Sequence, residues 1–94
     1  MPFPKQEFRP FTKEGIEWLA TNQNGVYGIF RSDAWIYVGR GDLRTRLLAA
    51  FNGENPRITR ERPTHYVTLV TKDDVAQEKA LIIELQPIAN QKAG

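Results

Sequence analysis

Ninety-four residues, 40% of them apolar and 26% charged, make one small domain around a single core and exclude both wholesale disorder and a fibrous repeat. The absence of cysteine and the single histidine, His65, exclude a disulfide framework, a Cys-ligated zinc site and a multi-histidine centre, so any metal must be held by oxygen. The net charge of +2 is unevenly spread: six of the eight arginines lie from Arg40 to Arg62 against three acids, which suits either a phosphate-bearing partner or a solvated basic face.

Residues 1–11 interleave Pro2, Pro4 and Pro10 with Phe3, Phe8 and Phe11. Proline removes backbone donors and restricts its predecessors, so this reads as an extended arm whose phenylalanines pack back on the core, with docking to a partner as the alternative. No run here or later is long and apolar enough for a signal sequence or a membrane span, and a cytoplasmic protein without membrane contact is expected. Thr12 caps a helix predicted over 12–21, with Ile16, Leu19 and Ala20 on one side. Asn24-Gly25 breaks it. Residues 26–30 and 35–38, rich in β-branched and aromatic side chains, then form a hairpin around Arg31-Ser32-Asp33-Ala34. A two-residue turn at Ser32-Asp33 sets Tyr27 opposite Val38 and sends Tyr37 to the other face, whereas a three-residue loop over 31–33 sets Tyr27 opposite Tyr37. Both registers stay open.

Gly39 to Gly41 break the second strand, Asp42 is an N-cap, and Leu43, Leu47, Ala50 and Phe51 recur at helical spacing. Residues 52–63 read as a turn-rich basic loop, 65–71 as a third strand in which His65 is a plain strand residue, and 73–86 as a helix capped by Asp73 or Asp74 and stopped by Pro87. The predicted fold is α/β of the α+β kind: a small three-stranded, mainly antiparallel sheet flanked by helices in the order α-β-β-α-β-α.

At roughly 100° per residue, Val75, Leu81, Ile82 and Leu85 of the last helix gather on one side with Glu78 in their midst, while Glu84 points away. A carboxylate among apolar neighbours needs a cation, and two readings stay open: a plain ion pair with Arg46, or a divalent metal. Two tyrosines in a hairpin are usually packing residues. Combined with an arginine cluster at a helix start and an inward carboxylate, they supply a base, a phosphate clamp and an oxygen ligand for Mg²⁺.

The strand motifs Gly25-Val26-Tyr27 and Tyr37-Val38-Gly39 are followed by Arg40, Asp42-Leu43 and Arg46-Leu47, then by Glu78, Leu81-Ile82, Pro87 and Asn90. In these blocks and their order the chain resembles the GIY-YIG nuclease family over residues 25–90. The stretch from Gly39 to Leu43 is about one residue shorter than in the repair-nuclease branch, and Ala50, four after the arginine, stands where relatives often carry His or Tyr. The resemblance implies an N-terminal arm and helix over 1–24, a GIY-YIG-like nuclease domain over 25–90 and a tail over 91–94.

It further implies a divalent-metal-dependent endonuclease that nicks or cleaves DNA phosphodiesters, as in DNA repair, with one Mg²⁺ or Mn²⁺ per site. By that resemblance Glu78 holds the metal, Arg46 clamps the scissile phosphate, Tyr27 is general base toward the attacking water and Tyr37 positions water or phosphate. A phenol with a pKa of about 10 must be made more acidic for that task, with Arg40, Arg46 and the metal as the sources of positive charge. Gly39 lets the backbone turn and phosphate approach, or simply ends a strand. Arg40, Arg44, Arg57, Arg60 and Arg62 complete the substrate-binding set as phosphate contacts, and Asn90 either caps the last helix or hydrogen-bonds near the site. The alternative is a non-catalytic GIY-YIG-like module that binds nucleic acid or protein. Phosphate contacts do not separate DNA from RNA, and a homodimer would supply the two sites that a duplex cut needs.

Overall fold

Proline keeps the start of the chain extended, and in the computed structural model, which describes residues 3–90, the arm adds a strand to the sheet. That strand, β1 (Arg9–Pro10), pairs antiparallel with β4 (His65–Val70). The sheet therefore has four strands and not the expected three, in the order β1-β4-β2-β3, with β2 (Asn24–Arg31) and β3 (Ala34–Asp42) forming the hairpin. Phe3 and Phe11 of the arm are buried as expected; Phe8 is 56% exposed and rests edge-on against Phe30. Met1, Pro2 and the expected tail over 91–94 lie outside the described residues.

Thr12 caps α1 (Lys13–Glu17) by accepting the Gly15 N–H at 3.0 Å. The helix is shorter than the predicted 12–21. Ile16 and Leu19 are already buried, and Asn22 turns the chain left-handed at φ 61°, which ends any helical path. Asp42 caps α2 (Leu43–Phe51) through the Thr45 N–H, as its type and place predict. The expected loop over 52–63 instead contains α3 (Pro56–Arg60): Asn55 caps it through the Arg57 N–H, and Pro56 fills the first helical position, where its missing donor is harmless. The last helix, α4 (Asp74–Leu85), follows Asp73 and ends at Gln86 in a left-handed conformation, and a 3₁₀ turn (Ile88–Asn90) returns the chain to β3. The observed order is thus β-α-β-β-α-α-β-α rather than α-β-β-α-β-α.

Alternation along the strands splits the core in two. On one face Tyr27, Ile29 and Tyr66 pack with Ile16 of α1, Leu43 and Leu47 of α2 and Ile58 of α3. On the other, Val26, Val38 and Val67 pack with Phe3 and with Leu81 of α4. Each fully buried Leu or Ile here contributes about 1.5–3 kcal/mol. The edge strand β3 lies between the two helical layers, so groups from both can meet around its free side.

Candidate active site

The hairpin settles the question of the tyrosines by a third route. Its turn is the two-residue Ser32-Asp33, since Arg31 pairs with Ala34 and Phe30 with Trp35, and continued unbroken that register would set Tyr27 opposite Val38. A β-bulge intervenes: the pairing shifts between Ile29 and Phe30, leaving Ile36 as an extra residue on β3, so that Ile29 faces Tyr37 and Tyr27 faces Gly39. One inserted residue reverses the facing of everything beyond it. Tyr27 and Tyr37 thus share a face as diagonal neighbours, with ring centroids 6.2 Å apart.

Gly39 is what makes room for Tyr27. A Cβ there would collide with the Tyr27 hydroxyl and ring and come within 2.8 Å of Tyr37 Cε2. The glycine expected to let phosphate approach is thus used first to seat a phenol; the glycine that bends the backbone is Gly41, at φ 126°, next to the aliphatic part of Arg46.

Tyr27 and Tyr37 open onto a cleft of about 260 Å³. From α2 it is lined by Arg46, Ala49 and Ala50, and from the following turn and α3 by Glu54, Asn55 and Ile58. Three of the four expected catalytic side chains converge here directly. Ala50 lies in the wall, so the departure noted in the sequence opens space beside the phenols. Glu54, Asn55 and Ile58 were not singled out in the sequence; the Asn-Pro pair that starts α3 was the available signal.

Glu78 arrives from the other layer, on the inward side of α4 with Leu81 and Leu85, its side chain 26% exposed. Val75, expected on that side, is 60% exposed and is replaced there by Asp74. The cation beside Glu78 is Arg40 and not Arg46: Arg40 Nε lies 3.6 Å from Glu78 Oε1, and Arg40 Nη1 lies 3.4 Å from Asp74 Oδ2. The reason is topological. Arg46 belongs to the layer under Tyr27, whereas Arg40 shares the sheet face with Val38, which α4 covers.

Electrostatics corrects a second expectation. Tyr27 is pushed up to about 12, first by burial, then by Tyr37; Arg46 opposes this by charge and hydrogen bonding, and Glu78 adds to it. Tyr37 is raised as well, by burial and then by the Glu78 carboxylate, against Arg46. The expected acidification of Tyr27 is therefore absent in the chain itself. Glu78 is raised by burial, with Arg40 pulling it down and Asp74 pushing it up. Its charge adds to the raised pKa of both phenols from the other layer, while the cleft lining itself does not include it.

The remaining expected residues are placed as follows. Asn90 turns its amide onto the backbone of Val38, accepting from the N–H at 2.7 Å and donating to the carbonyl at 3.0 Å, so it braces the edge strand. Arg57 and Arg60 stand in the last turn of α3, beside the cleft wall, and Arg62 follows at φ 55°. Arg44 Nε is buried without a hydrogen-bond partner among the described residues. His65 is a strand residue stacked on Phe30.

Among the described residues no group of three or more His, Asp or Glu could enclose a metal. One partly buried carboxylate is nonetheless a donor set that suits Mg²⁺, which keeps several waters and takes only one or two carboxylates. The desolvated Glu78 carboxylate, raised in pKa and only loosely matched by Arg40, fits such a cation. No described helix is long and apolar enough to cross a membrane.

The fold has clear structural counterparts. The GIY-YIG N-terminal endonuclease domain of UvrC from Thermotoga maritima, bound to its catalytic divalent cation, magnesium, superposes with a TM-score of 0.71 at 27% identity, covering 85% of this chain and 100% of that one. An asparagine-to-alanine point mutant of the same domain, also bound to its catalytic divalent cation, matches with a TM-score of 0.71 at 26% identity, over 86% of this chain and 100% of that one. No family model and no curated protein matches the chain. The chain has a GIY-YIG-like fold.

Proposed function

We propose that this GIY-YIG-like domain is a divalent-metal-dependent endonuclease that hydrolyses DNA phosphodiester bonds. The observation that carries the reading is the convergence of Tyr27, Tyr37 and Arg46 on one cleft, with the charge of Glu78 reaching both phenols. The structural likeness to a magnesium-bound endonuclease domain supports it.

In this reading Arg46 holds the non-bridging oxygens of the scissile phosphate, opposite the seated Tyr27 ring. Glu78 is the residue that would hold Mg²⁺ or Mn²⁺. When bound, the cation supplies positive charge to the phosphate and lowers the pKa of the groups it faces. Tyr27 orients the attacking water through its hydroxyl; as general base it acts in the phenolate form, which burial opposes and Arg46 favours, and taking the water's proton returns it to the neutral phenol. Tyr37, half-buried beside it, positions water or phosphate. The water oxygen bonds to phosphorus as the phosphorus–oxygen bond to the leaving sugar breaks; the departing sugar oxygen takes a proton from solvent, and the other fragment keeps the phosphate. Arg57, Arg60 and Arg62 beside the cleft contact the backbone on either side, without reading sequence.

A second reading, a non-catalytic nucleic-acid-binding module, is favoured by one observation: Arg40 already sits against Glu78. Supercoiled plasmid incubated with Mg²⁺ or Mn²⁺ separates the two. Nicking by the wild type and its loss in Glu78→Ala and Tyr27→Phe support hydrolysis; equal behaviour of all three proteins rejects the assignment.

A further inference from the structure

The cleft is chemically divided along α2. Arg46 lies in the early turns of this helix and Glu54 beyond its C-cap Asn52, so roughly 10 Å of helix axis separates their backbones. Between them the wall is aliphatic, made by Ala49, Ala50 and Ile58. Arg46 suits a phosphate. The far part does not, because the Glu54 carboxylate repels an anion and the alanine floor offers it no donor. That part suits a flat neutral group with apolar faces and a hydrogen-bond-donating edge, and the whole cleft of about 260 Å³, the Arg46 and tyrosine end included, is on the scale of one heterocycle beside a phosphate. Drug-sized ligands, by comparison, take roughly 300–1,000 Å³.

We propose that the Ala49–Ala50–Ile58 end of the cleft is a subsite for one unstacked nucleobase, adjoining the phosphate held by Arg46, with Glu54 reading its donor edge and the Asn55 amide N–H, its oxygen committed to the α3 cap, reading the adjacent acceptor. The inference rests on the phosphodiester reading given above, which supplies the phosphate. It defines the substrate class further: a nucleotide already unpaired, in a bulge, mismatch or single strand, for which extrusion from the stack is least costly. Glu54 accepts from an exocyclic amine, as carboxylates do from cytosine N4, so cytosine or adenine is preferred over thymine, whose carbonyl oxygens would face the carboxylate. The small side chain at Ala50 is what leaves space for the ring, and the specificity follows from what that position lacks.

The test is a binding measurement in EDTA, where no cleavage occurs. Fluorescence anisotropy compares a fully paired duplex with duplexes carrying a single bulged cytosine, a bulged thymine or a bulged abasic nucleotide. The wild type is expected to bind the bulged cytosine about tenfold more tightly than the abasic bulge, in keeping with the worth of one bound base. In Ala50→Leu, which fills the subsite, and in Glu54→Ala, an exposed position where folding is not at stake, that ratio falls to within about twofold, the same scale of one base contact having been removed. Equal affinity for cytosine and abasic bulges, no measurable binding of either, or a full ratio retained in Glu54→Ala overturns the proposal. The plasmid assay reports separately: nicking without a base-dependent ratio rejects the subsite alone, and a base-dependent ratio without nicking rejects hydrolysis alone.

Discussion

Asn90 completes the hydrogen bonding of Val38 on the open side of the edge strand, its amide taking both the N–H and the carbonyl of a residue that lies between Tyr37 and Gly39. A side chain thus does what a fifth strand would do, at the point where the backbone must be held for both phenols to aim into the cleft. Asn90→Ala leaves two partly buried backbone groups unpaired and is expected to destabilise the fold by about 2 kcal/mol. Urea unfolding measures that. In the nicking assay the same variant lowers turnover more than DNA affinity, because Asn90 positions the site and does not line the cleft.

The seat of Tyr27 over Gly39 gives a sharper test of the same strand. Gly39→Ala forces the Tyr27 ring to move, since the strand on one side and α2 on the other leave it no slack. The expected loss is about 1–3 kcal/mol, the usual range for overpacking a closed core. Near-ultraviolet circular dichroism should change in the tyrosine band, and an unchanged spectrum with unchanged stability would remove Gly39 from its role.

Alkaline pH separates burial from catalysis. Tyr27 and Tyr66 both stand at about 12 in the folded chain against 10.0 for the free phenol. From about pH 10 to 12 the unfolded chain releases these protons while the folded chain keeps them, so stability is full below pH 10 and is lost as pH rises through that window. Each group contributes at most about 3 kcal/mol. Urea unfolding from pH 9 upward should show a shallower decline in Tyr27→Phe than in the wild type; parallel curves would mean that the phenol is not buried as described.

Much of this was legible in the residues. Thr12 and Asp42 announce their helices by type and position, and the alternation over 65–71 marks a strand buried on at least one side, observed at His65–Val70. The motif blocks over 25–90 include three of the side chains that line the cleft, Tyr27, Tyr37 and Arg46. The bulge at Ile36 was not legible, because the Ser32-Asp33 turn alone sets the opposite facing and only the packing of Ile36 into the core selects the inserted residue. Nor was the partner of Glu78. Helical periodicity shows which side of α4 faces inward, but not which face of the sheet it covers, and that choice puts Arg40 and not Arg46 beside the carboxylate. The acidity of Tyr27 failed for a similar reason, since proximity of arginines can be guessed from sequence while depth of burial cannot.

Arg40 and a divalent cation compete for Glu78, and this makes two variants diverge. Burial disfavours the charge of Glu78, so Glu78→Gln is expected to stabilise the metal-free fold at neutral pH. The sign follows from the raised pKa: the folded chain holds this proton more tightly, so the penalty is absent in acid and appears as pH rises through the carboxylate range. The variant also loses the ligand. Thermal denaturation should therefore show Mg²⁺ raising the midpoint of the wild type in proportion to RT ln(1 + [L]/Kd) and leaving that of Glu78→Gln unmoved. Arg40→Gln removes the competitor instead. Its metal affinity should rise several-fold without DNA, because a partly exposed ion pair of 3.6 Å is worth about 1 kcal/mol, while its affinity for DNA falls with the lost charge. If Mg²⁺ shifts all three proteins alike, Glu78 is not the ligand, and the half-buried carboxylate serves only to hold Arg40 against α4.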